Sequence, residues 1–197
     1  ENAASNGVEI KLNTKVTDIK RTEHGYTVHT GAGYFCSQGV INCAGMFADE
    51  ILENVQNPLV RIIPDSGDYL ILDTKTDGYI KHVIFHEPEE KGKGLTLVPT
   101  VEGNILIGPT KKLSDEKDVF KTTHSGLEKL RALVSDVIPA LPMEHVIRSF
   151  GAIRPNPCYV HFDSASGSYV PTEKTISGFT IIESEEGPPF MSLIGIK

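Results

Sequence analysis

Residues 95–110, LTLVPTVEGNILIGPT, constrain the fold more than any other stretch of the chain. Leu95, Leu97 and Pro99 alternate with Thr96, Val98 and Thr100. Val101-Glu102-Gly103-Asn104 then supplies a turn, and Ile105-Leu106-Ile107 leads back to Gly108-Pro109. Two apolar runs around a short Gly-containing polar turn specify a β-hairpin. Both arms carry apolar residues on both faces, so the hairpin belongs inside a sheet, buried on at least one side. Gly103 and Gly108 have the spacing of a phosphate loop, but Pro109-Thr110 stands where Lys-Ser/Thr is needed. The hairpin is scaffold.

Upstream, Val8–Leu12, Lys15–Lys20, Tyr26–Thr30 and Tyr34–Ser37 each alternate at period two between tight turns, which predicts an antiparallel meander. Gly31-x-Gly33 lacks a third glycine, with Cys36 in its place, and suits a hairpin turn rather than a dinucleotide fingerprint. Val40-Ile41 is a continuous apolar run, as in a strand of a parallel sheet buried on both faces. It leads through Asn42–Gly45 into a helical pattern from Phe47 to Leu52. Such a strand-to-helix turn suits either tight packing or backbone approach to a phosphate or ribose.

Downstream, strands are predicted at Val60–Ile63 and Tyr69–Leu72 around a Pro64–Gly67 break, then a hairpin turn at Asp73–Gly78 and a strand at Ile80–Phe85. The Asp73 turn lacks the ligands of a calcium loop, since Lys75 and Ile84 occupy ligand positions. His82 and His86 on a strand would stand about 13 Å apart, too far to share an ion, and no metal site is expected. Glu87–Lys93 is a charged surface connection. Leu127, Leu130, Val134, Val137 and Ile138 form a helical stripe, capped by Ser125 with Glu128, or by Thr122 or Thr123, and ended by Pro139 and Pro142. A strand over His145–Ile153 delivers Arg154 into a Pro155-Asn156-Pro157 turn. An arginine held that rigidly suits bidentate recognition of a carboxylate or phosphate, with a structural salt bridge as the alternative. Final strands fall at Thr180–Glu183 and Phe190–Ile194.

Composition closes off other classes. A net charge of −7 leaves no basic footprint for nucleic acid or an anionic membrane. No apolar run nears the ~18 residues of a membrane span. Three widely spaced cysteines give neither a disulfide framework nor a zinc site and point to a reducing cytoplasm. Glu1–Gly7 has the pattern of a helix end stopped by Gly7, and Leu193–Lys197 stops in or just past a strand. An internal piece of a longer protein is the expectation.

GVINCAGMFADEIL (39–52) resembles the NAAG-W-AD segment of the D-amino-acid-oxidase superfamily of FAD-dependent oxidoreductases. VRIIPDSGDYLILD (60–73), KGKGLTLVPTVEGNILIGPT (91–110) and SFGAIRPNP (149–157) are similar to its glycerol-3-phosphate dehydrogenase branch. Gly195-Ile196-Lys197 resembles the start of that branch's glycine-rich segment facing the flavin. The resemblance implies FAD as cofactor, with backbone around Val16, Asn42, Cys43, Ala44 and Gly45 against its adenosine half. It also implies that Arg154 binds the anionic group of a small substrate and that Tyr69 lies near it. The family's N-terminal GxGxxG, which holds the pyrophosphate, is not among these residues. FAD binding by this stretch alone is therefore expected to be weak or absent.

These readings give an α/β fold, mostly antiparallel. Residues 1–52 are expected to be a remnant of a split FAD domain, 53–175 a substrate domain with one covering helix, and 176–197 strands returning to the FAD domain. The activity implied is hydride transfer to flavin from an anionic hydroxy substrate such as glycerol 3-phosphate. The alternatives are an L-2-hydroxyglutarate dehydrogenase, a glycine-oxidase-like amine oxidase, or a non-catalytic anion-binding domain. No residue is assigned as general base, and His86 qualifies by chemistry alone. The electron acceptor is unassigned, and self-association through exposed FAD-domain surface is expected.

Overall fold

The structure is a computed structural model that describes residues 1–87, 94–114, 116–118, 121–176, 178, 180–184 and 187–194. In chain order the first elements are α1 (Asn2–Ser5), β1 (Val16–Thr22), β2 (Gly25–Thr30), β3 (Gly33–Ser37), β4 (Val40–Asn42) and α2 (Ala48–Leu52). Next come β5 (Val60–Leu72), β6 (Ile84–Phe85), β7 (Thr96–Pro99), β8 (Ile105–Gly108), β9 (Lys112–Leu113) and α3 (His124–Val137). The chain ends with β10 (Val146–Asp163), β11 (Ser168–Thr175), β12 (Thr180–Glu183) and β13 (Phe190–Ile194). The fold is mixed α/β with strands in the majority. It divides into one compact unit of residues 1–62 and 157–197 and another of residues 63–156.

The first unit contains the meander β1-β2-β3 and a small mixed sheet, β12-β13-β4, in which β13 runs parallel to β4. Its core gathers Ile19, Tyr26, Ala48, Leu52, Val60, Ile62, Phe190 and Ile194. Tyr26 is fully enclosed, tilts against Phe190 and donates from its hydroxyl to Pro188 O at 2.7 Å, so the ring's polar end is satisfied where it is buried. Gly7 takes a positive φ of 83° just after α1, the helix stop expected there. Val8–Leu12 is not a strand. Val8, Ile10 and Leu12 are exposed, and alternation without a pairing partner does not make a strand.

Ile41 also departs from expectation. β4 does lie in a parallel pair, but its outward face is open and Ile41 is 66% exposed. The hairpin partner of the last part of β10, β11, went unforeseen in the sequence. The expected Glu87–Lys93 connection and Gly195-Ile196-Lys197 lie wholly or largely outside the described residues.

In the second unit the central hairpin forms as expected. Leu97 pairs with Ile107 and Pro99 with Ile105, and Gly103 turns the chain at φ 84°. The sheet order β10-β5-β8-β7-β6 places this hairpin inside it. Leu70, Leu72, Leu95, Leu97, Ile105 and Ile107 pack with Leu130 and Val134 of α3. Thr123 is the cap that α3 uses, accepting from Gly126 N at 3.1 Å.

Two expected breaks are absent. Pro64–Gly67 does not interrupt β5, because the fixed φ of proline suits an extended chain and Pro64 O still accepts from Ser114 N at 3.0 Å. Nor does Pro155-Asn156-Pro157 turn the chain, since β10 continues to Asp163. Asp73 starts a short 3-10 turn rather than a hairpin, accepting from Lys75 N at 2.9 Å, and that bond holds its carboxyl below the usual range.

Candidate functional site

In the second unit, α3 covers one face of the sheet, and the alternation of β5 sends Tyr69 and Ile71 to the other. Ile71 pairs with Leu106 and Val98 with Leu106, so a half-buried apolar floor lies beside Tyr69. Tyr69 stacks on Phe150 of β10 with ring centroids 5.0 Å apart and planes 4° from parallel. Gly108, at φ 139°, makes room for that ring, because a Cβ there would stand 2.7 Å from Tyr69 Cδ1. The glycine next to the cis Gly108-Pro109 bond is therefore part of the Tyr69 seat.

Asp68 points the other way and is buried. Its carboxylate accepts from Thr123 N at 3.0 Å, Thr123 Oγ1 at 2.8 Å and Thr110 Oγ1 at 3.2 Å. Its own N–H donates to Thr110 Oγ1 at 2.8 Å. A carboxylate at a helix N-terminus is favoured by the orphan N–H groups and the helix dipole. Gly126 leaves it no slack, since a Cβ there would overlap Asp68 Oδ2 at 1.7 Å. Asp68 thus ties β5 to the start of α3 and fixes the pleat on which Tyr69 stands. Sequence reasoning missed both Asp68 and Phe150. The signal available was the Phe150-x-Ala152-x-Arg154 alternation, which sets Phe150 and Arg154 on one face.

Arg154 lies on β10 and is half-buried. Among the described residues it has no carboxylate within ion-pair distance. The other arginine of a nearby motif, Arg61 in the first unit, is paired with Glu53. A half-buried guanidinium without a counter-ion is costly to hold and ready for an incoming anion. His86 follows edge strand β6, with Nδ1 3.0 Å from Glu87 O.

In the first unit Asn42 is buried at the end of β4. Its amide donates to Ala48 O at 2.8 Å and Ser192 Oγ at 2.9 Å, while its Oδ1 accepts from Ala44 N at 3.1 Å. The side chain is spent on bracing the turn. What it presents is the backbone of Cys43, Ala44 and Gly45, all exposed, with Gly45 at φ 58° and open space where a Cβ would stand. Val16 is half-buried on β1 at a register shift and packs against the core of this unit. An open backbone turn after a parallel strand fits the approach of a ribose. No glycine-rich pyrophosphate turn occurs among the 197 residues.

The fold is that of the flavin oxidoreductases. The FAD-bound L-α-glycerophosphate oxidase of Mycoplasma pneumoniae superposes with a TM-score of 0.77 at 24% identity, over 97% of this chain and 47% of that one. Residues 1–196 match the family described as FAD dependent oxidoreductase (DAO), and the chain belongs to it. A glycerol 3-phosphate dehydrogenase of Caloramator mitchellensis is 38% identical over 154 residues, 78% of this chain and 32% of that protein. An L-2-hydroxyglutarate dehydrogenase of Indibacter alkaliphilus is 25% identical over 133 residues, 66% of this chain and 33% of that protein. The chain spans from about a third to about half of the length of these relatives.

Proposed function

We propose that this chain is the substrate-recognising part of an FAD-dependent oxidoreductase that oxidises a small anionic hydroxy compound, glycerol 3-phosphate before L-2-hydroxyglutarate. The single observation behind this reading is Arg154, half-buried on the open sheet face and without an ion pair among the described residues. A structural salt bridge, the competing role for this side chain, would have left it paired.

Arg154 would clamp the phosphate or carboxylate with its planar fork, and Tyr69, stiffened by Phe150, would border the substrate. Backbone of Cys43–Gly45 and Val16 would hold the adenosine half of FAD. Bound flavin supplies the redox chemistry, and the protein supplies position and electrostatics. The domain roles follow the same reading, with residues 1–52 and 176–197 serving FAD and 53–175 serving substrate, in a reducing cytoplasm. No general base or electron acceptor is assigned. The 197 residues alone would hold FAD weakly, for want of the pyrophosphate turn.

The test is anaerobic flavin reduction in the full-length protein, offered glycerol 3-phosphate, L-2-hydroxyglutarate or glycine. Bleaching by glycerol 3-phosphate is expected. Bleaching by glycine alone would transfer the reading to amine oxidation, and a full-length protein that retains no flavin would leave only an anion-binding module.

A further inference from the structure

Two opposite charges stand without full partners on the open face that carries Tyr69. Asp65 lies on β5 four residues before Tyr69, and Arg154 lies on β10 four residues after Phe150. β5 and β10 are neighbours in the sheet. They run antiparallel, because Asp73 N donates to His145 O while Tyr69 stacks on Phe150. The register of that stack returns where Val160 N donates to Leu59 O at 3.2 Å. Counting along it brings Asp65 directly opposite Arg154, and period two puts both on the face of Tyr69 and Phe150. Side chains so opposed have Cβ atoms about 4.5–5.5 Å apart, within easy reach for an arginine.

The Asp65 side chain is only 14% exposed, and Lys111 Nζ stands 4.0 Å from its Oδ2. Its other oxygen, Oδ1, is buried with no hydrogen-bond donor among the described residues. A buried acceptor left unpaired is rare and costly, and the side chain opposite it by register is Arg154.

We propose that Asp65 is the positioning residue of Arg154. The two side chains lie beyond ion-pair distance in this structure. As the substrate anion draws the guanidinium into place, Asp65 Oδ1 takes one N–H edge, Lys111 steadies Oδ2, and the opposite edge of the fork holds the anion. Arginine offers five donors in one rigid plane, so an edge held by Asp65 orients the other toward the anion. The three side chains together carry one net positive charge, which suits a single carboxylate or phosphate and keeps a second anion out. This proposal rests on the anion-binding reading of Arg154.

The experiment is a double-mutant cycle in the full-length flavoprotein, with glycerol 3-phosphate and L-2-hydroxyglutarate as probes. Asp65→Ala should raise KM for the substrate roughly three- to tenfold while kcat stays within about twofold, as loss of an orienting contact predicts. In an Arg154→Met background the same change should have no further effect on KM. Asp65→Asn keeps the shape and one neutral acceptor, should fall between, and serves if the alanine variant does not fold. Equal effects of Asp65→Ala in both backgrounds, or an unchanged KM, would overturn the proposal while leaving the role of Arg154 intact. Unchanged kinetics in Arg154→Met alone would remove the anion-binding reading and this proposal with it.

Discussion

Each unit has a sheet with one face on a core and one face open, and the open faces differ in what they present. The sheet of the second unit shows half-buried polar groups set into an apolar floor: Tyr69, Arg154 and Asp65 beside Ile71, Val98 and Leu106. The β12-β13-β4 sheet of the first unit shows Ile41 and Ile181, 66% and 48% exposed, with Met191 and Leu193 paired to them. Orphaned charge on an open face is costly unless a charged ligand uses it. Exposed apolar side chains on neighbouring strands are costly unless another surface covers them. On the function proposed above, the first face would take a small anion and the second another protein surface.

The largest effect should come from the anchor that holds the polar face in place. Replacing Asp68 with Ala leaves Thr123 N, Thr123 Oγ1 and Thr110 Oγ1 without their acceptor. Hydrogen bonds to a charged group are worth about 1.5–3 kcal/mol, so a loss of about 3 kcal/mol is expected, seen as a lower denaturation midpoint. An unchanged midpoint would mean that α3 does not need β5 for its start, and the rigidity claimed for the Tyr69 face would fail.

Arg154 should act on turnover instead. Arg154→Met in the full-length enzyme should lower kcat/KM by at least about tenfold to a hundredfold, since a charge-assisted contact of about 1.5–3 kcal/mol is lost. Arg154→Lys should recover only part, because the ammonium keeps the charge and loses the fork. Flavin content and melting temperature should hardly move. A fall in stability with full activity in the folded remainder would make the arginine structural.

A smaller effect distinguishes the apolar face. Ile41→Lys should reduce self-association, measured by light scattering, with stability changed by no more than about 0.5 kcal/mol as for an exposed site. Association that persists unchanged would show that this face is not the sticky one.

The sequence carried the local features well. The hairpin at Leu95–Thr110 and the stripe of α3 are periodic signals contained in a few turns of chain, and both formed. Arg154 and Tyr69 came from motif resemblance, and the structure puts both in the second unit, on neighbouring strands. Pro64 and Pro155 misled because proline punctuates most chains, yet its φ is compatible with extended structure where the missing N–H is not needed. The Tyr69–Phe150 stack and the Asp65–Arg154 register were illegible, being set by pairing between strands far apart in sequence. Asn42 was legible as part of a turn but not as its brace, because its partners Ala48 and Ser192 lie on other elements.

The last prediction uses the three free cysteines to test the open turn of the first unit. Cys43 and Cys36 are exposed and Cys158 is buried. Burial raises the Cys158 thiol above its ordinary pKa. Less thiolate is present at neutral pH, and access is blocked as well, so iodoacetamide should modify Cys158 last and only as the pH is raised. In the full-length protein freed of FAD, Cys43 and Cys36 should both react readily. Adding FAD should slow Cys43 several-fold or more, if the adenosine half covers Cys43–Gly45, and leave Cys36 on β3 unchanged. The readout is mass spectrometry of the modified peptides and needs no turnover. Equal rates at Cys43 with and without FAD would show that the exposed turn serves packing alone, and the proposed contrast between a unit that holds nucleotide and one that holds an anion would lose its first half.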